Sequence, residues 1–152
     1  MTTILITGGT GKIGRQFVSH FARKGWRVVF TSTSGERARE LEEELAETGE
    51  CKGIVCDFLE EDGLGALFSG LDRLGWSVNH IVNNARSLSS LQVDDQGFSD
   101  PADIQREFQL GVIVPYDWVQ AVGDVVLVAQ LVGHLDLPAA RQRQRVVAVG
   151  IA

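Results

Sequence analysis

The sequence predicts an α/β fold in which a doubly wound parallel sheet carries helices on both faces. Short apolar runs alternate with longer segments whose apolar residues recur at helical spacing. Runs that are apolar throughout are typical of parallel strands, because both faces of such strands are buried. A glycine-rich turn follows the first apolar run directly and joins it to a helix. These observations predict repeated strand–helix units connected by right-handed crossovers.

The bulk composition predicts a single domain over residues 1–152. With 44% hydrophobic residues, the 152-residue chain is long enough for one real core and too short for two comfortable ones. A formal charge of -6 and a pI near 5.0 argue against nucleic acid and anionic membranes as partners, because both attract basic patches.

Targeting signals and cysteine content both indicate the compartment of a protein. No apolar run approaches the ~20 residues of a membrane span, and the N-terminus lacks the pattern of a secretory signal. Cys51 and Cys56 are too few and too close for a disulfide framework, and Cys56 lies in an apolar run that favours a small buried thiol. These features predict a soluble protein of the reducing cytoplasm.

The first strand–helix unit occupies the first 25 residues. The run TTILI predicts a strand, and the segment GKIGRQFVSHFARKG predicts a helix with Ile13, Phe17 and Phe21 at helical spacing. Gly25 is the predicted stop of that helix.

The second unit begins with WRVVFTS, which predicts another buried strand. The stretch TSGE, Thr33 to Glu36, has the spacing of a capping box ahead of a helix that ends at Gly49. The predicted buried face of this helix consists of Ala38, Leu41 and Leu45.

Two further strands follow in the same pattern. We expect a third strand over Gly53 to Asp57 and a fourth over Val78 to Val82. The helix between them is weakened by three glycines. Its predicted apolar face consists of Leu64, Leu67, Phe68, Leu71 and Leu74.

The segment after the fourth strand predicts a ligand-facing loop and then a helix. Residues Arg86 to Ser99 are polar and too numerous for a tight connection, which favours a loop that faces a ligand. Asp100 has the position of an N-cap, and Pro101 that of the first helical residue. Pro115 is expected to kink or end this helix.

Beyond about Trp118 the composition changes, because lysine and glutamate are absent and valine, alanine and glutamine dominate. Within this atypical tail, residues 118–152, only Arg145 to Gly150 predicts another buried strand. The basic cluster at Arg141 to Arg145 is interpreted as a solvated turn or, alternatively, as a patch for a phosphate or a partner. The long apolar segment Val125 to Val132 is a candidate cover for the sheet edge.

The stretch TGGTGKIG, Thr7 to Gly14, invites comparison with two phosphate-binding loops. A P-loop needs a glycine, four residues and then Gly-Lys followed by Ser or Thr. Here Ile13 follows the Gly-Lys pair, and Ile6 occupies the position of the first glycine. The P-loop interpretation fails at both positions.

A dinucleotide loop fits the same stretch. It needs glycines that tighten the strand-to-helix turn, admit the pyrophosphate and pack the helix on the sheet, with the helix N-terminus facing the anion. Gly8, Gly11 and Gly14 have the spacing for these roles. Their position between a strand and a helix makes a plain structural turn the weaker interpretation.

The loop resembles the TGxxGxxG motif of the short-chain dehydrogenase/reductase family. In addition, CDF places Asp57 at the end of the third strand, and NNA, Asn83 to Ala85, closes the fourth strand like the NNAG motif of that family. The resemblance implies a Rossmann-like fold in which Asp57 meets the adenine amino group, and Asn84 and Ala85 border the adenosine. A fainter similarity, in NNAR and VPY, is to members from bacterial surface-sugar and flagellin-glycan pathways. The implied cofactor-binding residues are Thr7, Gly8, Thr10, Gly11, Lys12, Ile13, Gly14, Ser32, Thr33, Arg37, Asp57, Phe58, Asn84 and Ala85.

The second strand bears on the choice of dinucleotide. An NAD site usually has an acidic residue at the end of this strand to accept from the ribose 2′-hydroxyl. The sequence there is TSTSGER, which offers hydroxyl groups and no acid before Glu36. Lys12 and Arg37 are the candidate partners of a 2′-phosphate, so the sequence favours NADP over NAD.

The resemblance implies hydride transfer between the nicotinamide and a carbonyl or alcohol carbon, assisted by a tyrosine and a lysine in a YxxxK pair. The single tyrosine, Tyr116, is followed four residues later by Gln120, and all three lysines lie at or before Lys52. The pair is therefore missing. If FQLGVIVPY aligns with the family's helix, Gln109 occupies the asparagine position, and if VVAVGIA aligns with the family's fifth strand, Gly150 and Ile151 replace the usual serines.

Three hypotheses follow, because the resemblance covers roughly residues 2–116 and fades afterwards. The chain is an oxidoreductase of this family in incomplete or altered form, a non-catalytic dinucleotide-binding module, or a truncated or frame-altered product. A sheet that ends after about five strands leaves an apolar edge, which the tail or self-association into a homo-oligomer would have to cover. For this chain we expect nucleotide binding without turnover.

Overall fold

A computed structural model of the chain describes residues 1–87, 92–122 and 126–130. In that part of the chain five strands form one parallel sheet, and they lie side by side in the order third, second, first, fourth and fifth. The strands are β1 (Thr3–Ile6), β2 (Arg27–Ser32), β3 (Cys51–Val55), β4 (His80–Asn83) and β5 (Val126–Gln130).

Helices cover both faces of this sheet, which confirms the doubly wound α/β class. One core joins α1 and α2 to one face, and the other joins α3 and α5 to the opposite face. Ile4 and Ile6 point into the first core and Leu5 into the second, so β1 is apolar throughout because both of its faces are buried. The helices are α1 (Lys12–Arg23), α2 (Gly35–Leu45), α3 (Gly63–Leu74), α4 (Pro101–Phe108) and α5 (Val114–Val122), with a π-helical turn at Gln109–Ile113.

Helix α1 buries a different stripe from the predicted one. Its buried residues are Gly14, Val18 and Ala22, whereas Ile13 is 53% exposed. The smaller side chains let the helix axis approach the sheet, and Phe17 packs at the margin of the core. Ile13 shares the helical spacing of Phe17 and Phe21 but lies outside this stripe, and the prediction of Gly25 as the stop is confirmed by its positive φ of 75°.

Helix α2 is capped by Ser34 and not by Thr33. The Ser34 hydroxyl accepts from the backbone N–H of Arg37 at 3.3 Å. The Ser32 hydroxyl also donates to the Ser34 carbonyl at 3.0 Å and accepts from the Ser34 N–H at 3.1 Å. These bonds form a turn after β2, so the helix cap lies at Ser34, one residue after the predicted Thr33. The predicted buried face, Ala38, Leu41 and Leu45, is confirmed.

Strand β3 ends at Val55, so Asp57 lies two residues beyond the strand rather than at its last position. The strand starts at Cys51, earlier than predicted, because Cys51 and Lys52 already pair in parallel with Val28 and Val29 of β2. Both cysteines are buried and free, which confirms the prediction of a small buried thiol at Cys56.

The predicted start of α4 is confirmed, since the Asp100 carboxylate accepts from the N–H of Ala102 at 2.8 Å and Pro101 is the first helical residue. The helical path does not end at Pro115 and continues to Val122. The π-helical turn precedes the proline, and in it the N–H of Val114 bonds to the carbonyl of Gln109. The missing N–H of Pro115 is accommodated by this local change of hydrogen bonding.

The fifth strand is not the segment that the sequence favoured. Arg145 to Gly150 lies outside the described residues, as does the basic cluster at 141–145. Instead, residues from the apolar segment 125–132 form β5, which pairs in parallel with β4. The segment thus covers the edge of β4 by joining the sheet.

Candidate functional site

A groove of about 630 Å³ lies at the carboxyl ends of the strands. The sheet order reverses between β1 and β4, and α/β proteins bind ligands at such a switch point. All of the predicted cofactor residues except Thr7 line this groove. The other lining residues are Thr31, Cys56, Leu59, Arg86, Ser87 and Leu110.

The glycine loop makes a tight turn between β1 and α1. Gly8 has a φ of 66°, a conformation that favours glycine, and its N–H donates to the Thr31 hydroxyl at 2.9 Å. The N–H of Gly11 then donates to the Gly8 carbonyl at 3.1 Å. A Cβ on Gly14 would collide with that same carbonyl oxygen and lie 2.8 Å from the Asn84 amide nitrogen. The loop therefore needs glycine where it folds back on helix α1.

The N-terminus of α1 opens into the groove without a capping side chain. Gly11 is the N-cap, no side chain accepts from the first N–H groups, and the first turn carries no acidic residue. These N–H groups and the helix dipole favour an anion at this point, and Lys12 adds a positive charge. These N–H groups fit a diphosphate, because a diphosphate needs several backbone donors that side chains do not obstruct.

Thr7 was predicted to contact the cofactor, but it is buried beneath the loop with 2% of its surface exposed. Its hydroxyl oxygen accepts from the N–H groups of Asn84 and Ala85 at 2.9 and 3.0 Å. The Asn84 side chain in turn donates to the carbonyls of Thr7 and Gly8 at 3.0 and 3.2 Å. These bonds join the ends of β1 and β4 and hold the loop from below.

The end of β2 presents one buried and two exposed candidate contacts. The Ser32 hydroxyl is 4% exposed and lies 2.9 Å from the Thr10 hydroxyl. Because its proton is directed to the Ser34 carbonyl, Ser32 mainly holds the loop. Thr33 and Arg37 are exposed on the groove side and present a hydroxyl and a guanidinium.

The chain beyond β3 forms the opposite wall. The Asp57 carboxylate accepts from the N–H of Leu59 at 2.9 Å, which fixes its orientation. Phe58 is buried against Trp118, while Cys56 faces the groove from beneath. Burial raises the pKa of the Cys56 thiol to about 11, so this thiol is neutral at ordinary pH.

Arg86 and Leu110 also line the groove, although Arg86 was predicted only as the first residue of a ligand-facing loop and Leu110 was not predicted at all. Arg86 directly follows NNA, which was a usable signal, whereas Leu110 is brought to the groove by the π-helical turn, for which no sequence signal exists. Among the groove-lining residues Lys12, Arg37 and Arg86 are positive and only Asp57 is negative. The groove is thus electropositive in a chain whose formal charge is -6.

The positions considered for chemistry lie elsewhere. Gln109 is not among the groove-lining residues, although its neighbour Leu110 is. Tyr116 is 63% exposed on α5 and also lies outside the groove. Gly150 and Ile151 fall outside the described residues.

A parallel sheet with a glycine loop at its switch point defines a nucleotide-binding α/β protein. The sequence profile of the short chain dehydrogenase family matches residues 2–134. The chain therefore belongs to this family, and the match reaches beyond the range of 2–116 expected from its motifs.

Three curated relatives illustrate the similarity. The chain is 36% identical over 83 residues to 3-oxoacyl-[acyl-carrier-protein] reductase FabG of Aquifex aeolicus, and the matched region covers 53% of this chain and 34% of the relative. It is 37% identical over 84 residues to serine 3-dehydrogenase of Agrobacterium fabrum, covering 55% and 32%. It is 30% identical over 115 residues to fluoren-9-ol dehydrogenase of Terrabacter sp., covering 73% and 32%. The chain spans about a third of the length of these relatives.

Solved structures show the same fold. The complex of Pseudomonas aeruginosa RhlG with NADP has a TM-score of 0.70 at 24% identity, covering 80% of this chain and 46% of that one. A 7α-hydroxysteroid dehydrogenase complexed with NADH has a TM-score of 0.69 at 25% identity, covering 83% and 51%. Within the described part of the chain, none of the helices combines the length and apolar character that a membrane crossing requires.

Proposed function

We propose that the chain binds a nicotinamide dinucleotide in this groove and belongs to an NAD(P)-dependent oxidoreductase that transfers hydride to or from a carbonyl or alcohol carbon. The observation that carries the proposal is the uncapped N-terminus of α1, which opens into an electropositive groove behind a glycine loop. Family membership supports the reaction type. The cofactor would supply the hydride, and the described residues would bind and orient it.

We further propose that the cofactor is NADP(H) in preference to NAD(H). No acidic side chain lies at the end of β2, where it would accept from a 2′-hydroxyl and repel a 2′-phosphate. Arg37 and Thr33 are exposed there, and a guanidinium forms strong charge-assisted bonds with phosphate. One of the two structures described above holds NADP and the other NADH, so the preference rests on this chain's own side chains.

Fluorescence titration of the chain with NADPH and NADH tests the preference. We expect tighter binding of NADPH. In an Arg37→Gln variant the affinity for NADPH should fall about tenfold, because one charge-assisted contact is lost, while the affinity for NADH changes little. Arg39→Gln is the matched control, since Arg39 is exposed on the same helix and does not line the groove. Equal losses for both cofactors would contradict the preference.

A second proposal concerns turnover. We infer that this chain binds the cofactor without catalysing carbonyl reduction, because its one tyrosine lies outside the groove and has Gln120 four residues later. Assays of NADPH oxidation with a panel of ketones and aldehydes test this, and any enzyme-dependent turnover would contradict it. Sequencing the encoding DNA downstream and in the other frames would show whether a YxxxK pair belongs to the same gene.

Self-association through an uncovered sheet edge remains a prediction, and we propose that the edge at β3 is the one used. Within the described residues β3 pairs only with β2, and Val55 at its end is 53% exposed. Light scattering behind size-exclusion chromatography should give twice the monomer mass at high concentration, and Val55→Lys should lower it. A single monomer peak at all concentrations would contradict the prediction.

The cytoplasm is the proposed compartment, because two free buried thiols fit a reducing environment. Cell fractionation with an antibody against the chain tests this assignment, and recovery in a secreted or membrane fraction would overturn it.

A further inference from the structure

Arg86 is a charged groove residue that the glycine loop and the adenosine contacts leave unexplained. It directly follows Ala85 at the end of NNA, where the motif that this stretch resembles has glycine. Its side chain is 42% exposed and lines the groove beside Asn84 and Leu110. A side chain is therefore present where the resemblance predicts none.

Glu107 on α4 holds the guanidinium of Arg86 by one edge. The Arg86 Nε donates to Glu107 Oε1 at 2.6 Å. Glu107 Oε2 is buried and has no hydrogen-bond partner in the described part of the chain. The pair is thus not the two-bond fork that arginine and carboxylate often form, and the two terminal amino groups of Arg86 make no other hydrogen bond to described residues. On a residue that lines the groove, these amino groups are the donors that a ligand could use.

The backbone just before Arg86 packs against the glycine loop that is expected to hold the diphosphate. A Cβ on Gly8 would lie 3.0 Å from the Ala85 Cα, so the loop packs directly against the residue before Arg86. Lys12 stands at the start of α1, and Arg37 lies beyond β2, on the other side of β1 from β4. Arg86 therefore borders the loop from the side opposite to Arg37.

We propose that Arg86 binds a phosphate of the dinucleotide's diphosphate and that Glu107 is the residue that positions it. The inference rests on the proposed function, because it takes the groove to hold a dinucleotide. It differs from that proposal in assigning to the β4 side a phosphate contact made by a side chain. An exposed ion pair with no role in binding is the competing explanation, since such pairs contribute little to stability.

Three ligands that share the adenosine end but differ in the rest of the molecule distinguish contacts at the two ends of the groove. Isothermal titration calorimetry would compare NADPH, 2′-phospho-ADP-ribose, which lacks the nicotinamide, and adenosine 2′-monophosphate, which lacks the diphosphate. We expect Arg86→Gln to weaken the first two ligands about tenfold and the third less than twofold. Arg37→Gln should weaken all three. Arg106→Gln is the control, because Arg106 pairs with Asp103 on the same helix as Glu107 and does not line the groove.

The positioning role of Glu107 is tested by a double-mutant cycle. Glu107→Gln should weaken NADPH binding less than Arg86→Gln does, and adding it to Arg86→Gln should cause no further loss. If the loss of NADPH affinity in the double variant equals the product of the two single losses, Glu107 does not act through Arg86. If Arg86→Gln does not fold, as judged by circular dichroism, Arg86→Lys provides the test, and we expect a loss of about threefold because lysine lacks the fork.

The remaining outcomes are separable. Unchanged affinity of the Arg86 variants for all three ligands would overturn the inference and leave the proposed function intact. Equal weakening of adenosine 2′-monophosphate would also overturn it, because the contact would then be at the adenosine end. A wild-type chain that binds none of the three ligands would overturn the proposed function itself.

Discussion

Gly14 is the residue at which the loop and helix α1 approach each other most closely. We expect Gly14→Ala to lower the free energy of unfolding by about 1–3 kcal/mol, because the new methyl group would collide with the Gly8 backbone carbonyl, which cannot move without opening the turn. Urea unfolding followed by circular dichroism measures this change.

Gly35→Ala is the matched control for that substitution. Its added Cβ would meet only a Val55 methyl group at 3.6 Å, an ordinary contact, and alanine favours the first turn of α2. The control should be neutral or slightly stabilising. Equal stability of Gly14→Ala and the wild type would show that the loop is looser than described.

The two cysteines predict how stability depends on alkaline pH. Burial raises the pKa of the Cys51 and Cys56 thiols from their ordinary value of 9.0 to about 11. The thiolate is therefore disfavoured in the folded state, and the stabilisation is fully present below pH 9 and is lost as the pH rises towards about 11. The free energy of unfolding, measured across this window, should fall with increasing pH.

A variant with Cys51→Ala and Cys56→Ala provides the comparison. Its free energy of unfolding should be lower at neutral pH, because two small buried groups are removed, but it should decline less steeply between pH 9 and about 11. Parallel curves for the two proteins would mean that other groups cause the alkaline loss.

The sequence predicted the structural role of some single residues and not of others. The glycine spacing was sufficient for the loop, because a tight turn next to a helix leaves few alternatives to glycine. Thr7 looked the same in sequence as its exposed neighbours, yet its hydroxyl is used by two backbone N–H groups of another strand end. Such a role depends on a partner 77 or 78 positions away, which periodicity does not reveal.

At the level of elements, strands and helices near the start of the chain followed their patterns. The sequence misplaced the fifth strand because β5 is one of several valine-rich apolar runs in the tail, and the Gly123-Asp124 pair before it did not set it apart from the run at 145–150. It also did not predict the π-helical turn, since the hydrogen bond from Val114 to Gln109 adds one residue without changing composition. The place of β5 depends on its pairing with β4, and the π-helical turn depends on a local backbone hydrogen bond, so neither can be seen in composition.

Helix α5 contributes Trp118 to the second core, and this side chain is fully buried. Its ring meets Phe68 at a centroid distance of 5.2 Å and Phe58 at 6.4 Å. We expect Trp118→Ala to lower the free energy of unfolding by about 3–5 kcal/mol, because it removes these ring contacts and leaves a cavity. Urea unfolding followed by circular dichroism measures the loss.

Trp118→Phe separates packing from hydrogen bonding. The indole Nε1 is buried without a hydrogen-bond partner among the residues described, so its removal should cost nothing, and phenylalanine keeps a ring against Phe68. The loss should be less than half of that for alanine. Similar losses for both variants would indicate that the indole nitrogen has a partner.

For the whole molecule, the sheet order concentrates positive charge in one place on an acidic chain. The starts of α1 and α2 and the chain after β4 bring Lys12, Arg37 and Arg86 to one groove, although these residues are far apart in sequence. A second groove at the other end of the sheet, beside Trp76, is lined by several glutamates instead. An anionic dinucleotide should therefore select the first groove by charge as well as by shape.

Hydrogen–deuterium exchange with and without saturating NADPH tests this selection over the whole chain. Because a ligand that binds only the folded state suppresses local opening where it binds, protection should increase around the first groove and stay unchanged around Trp76. The segments expected to gain protection are 8–14, 32–37, 57–58 and 84–86. NADH at the same concentration should protect 32–37 less, because it lacks the 2′-phosphate that would contact Arg37. Protection of residues 42–52 beside Trp76 would place the ligand in the acidic groove and contradict the electrostatic argument.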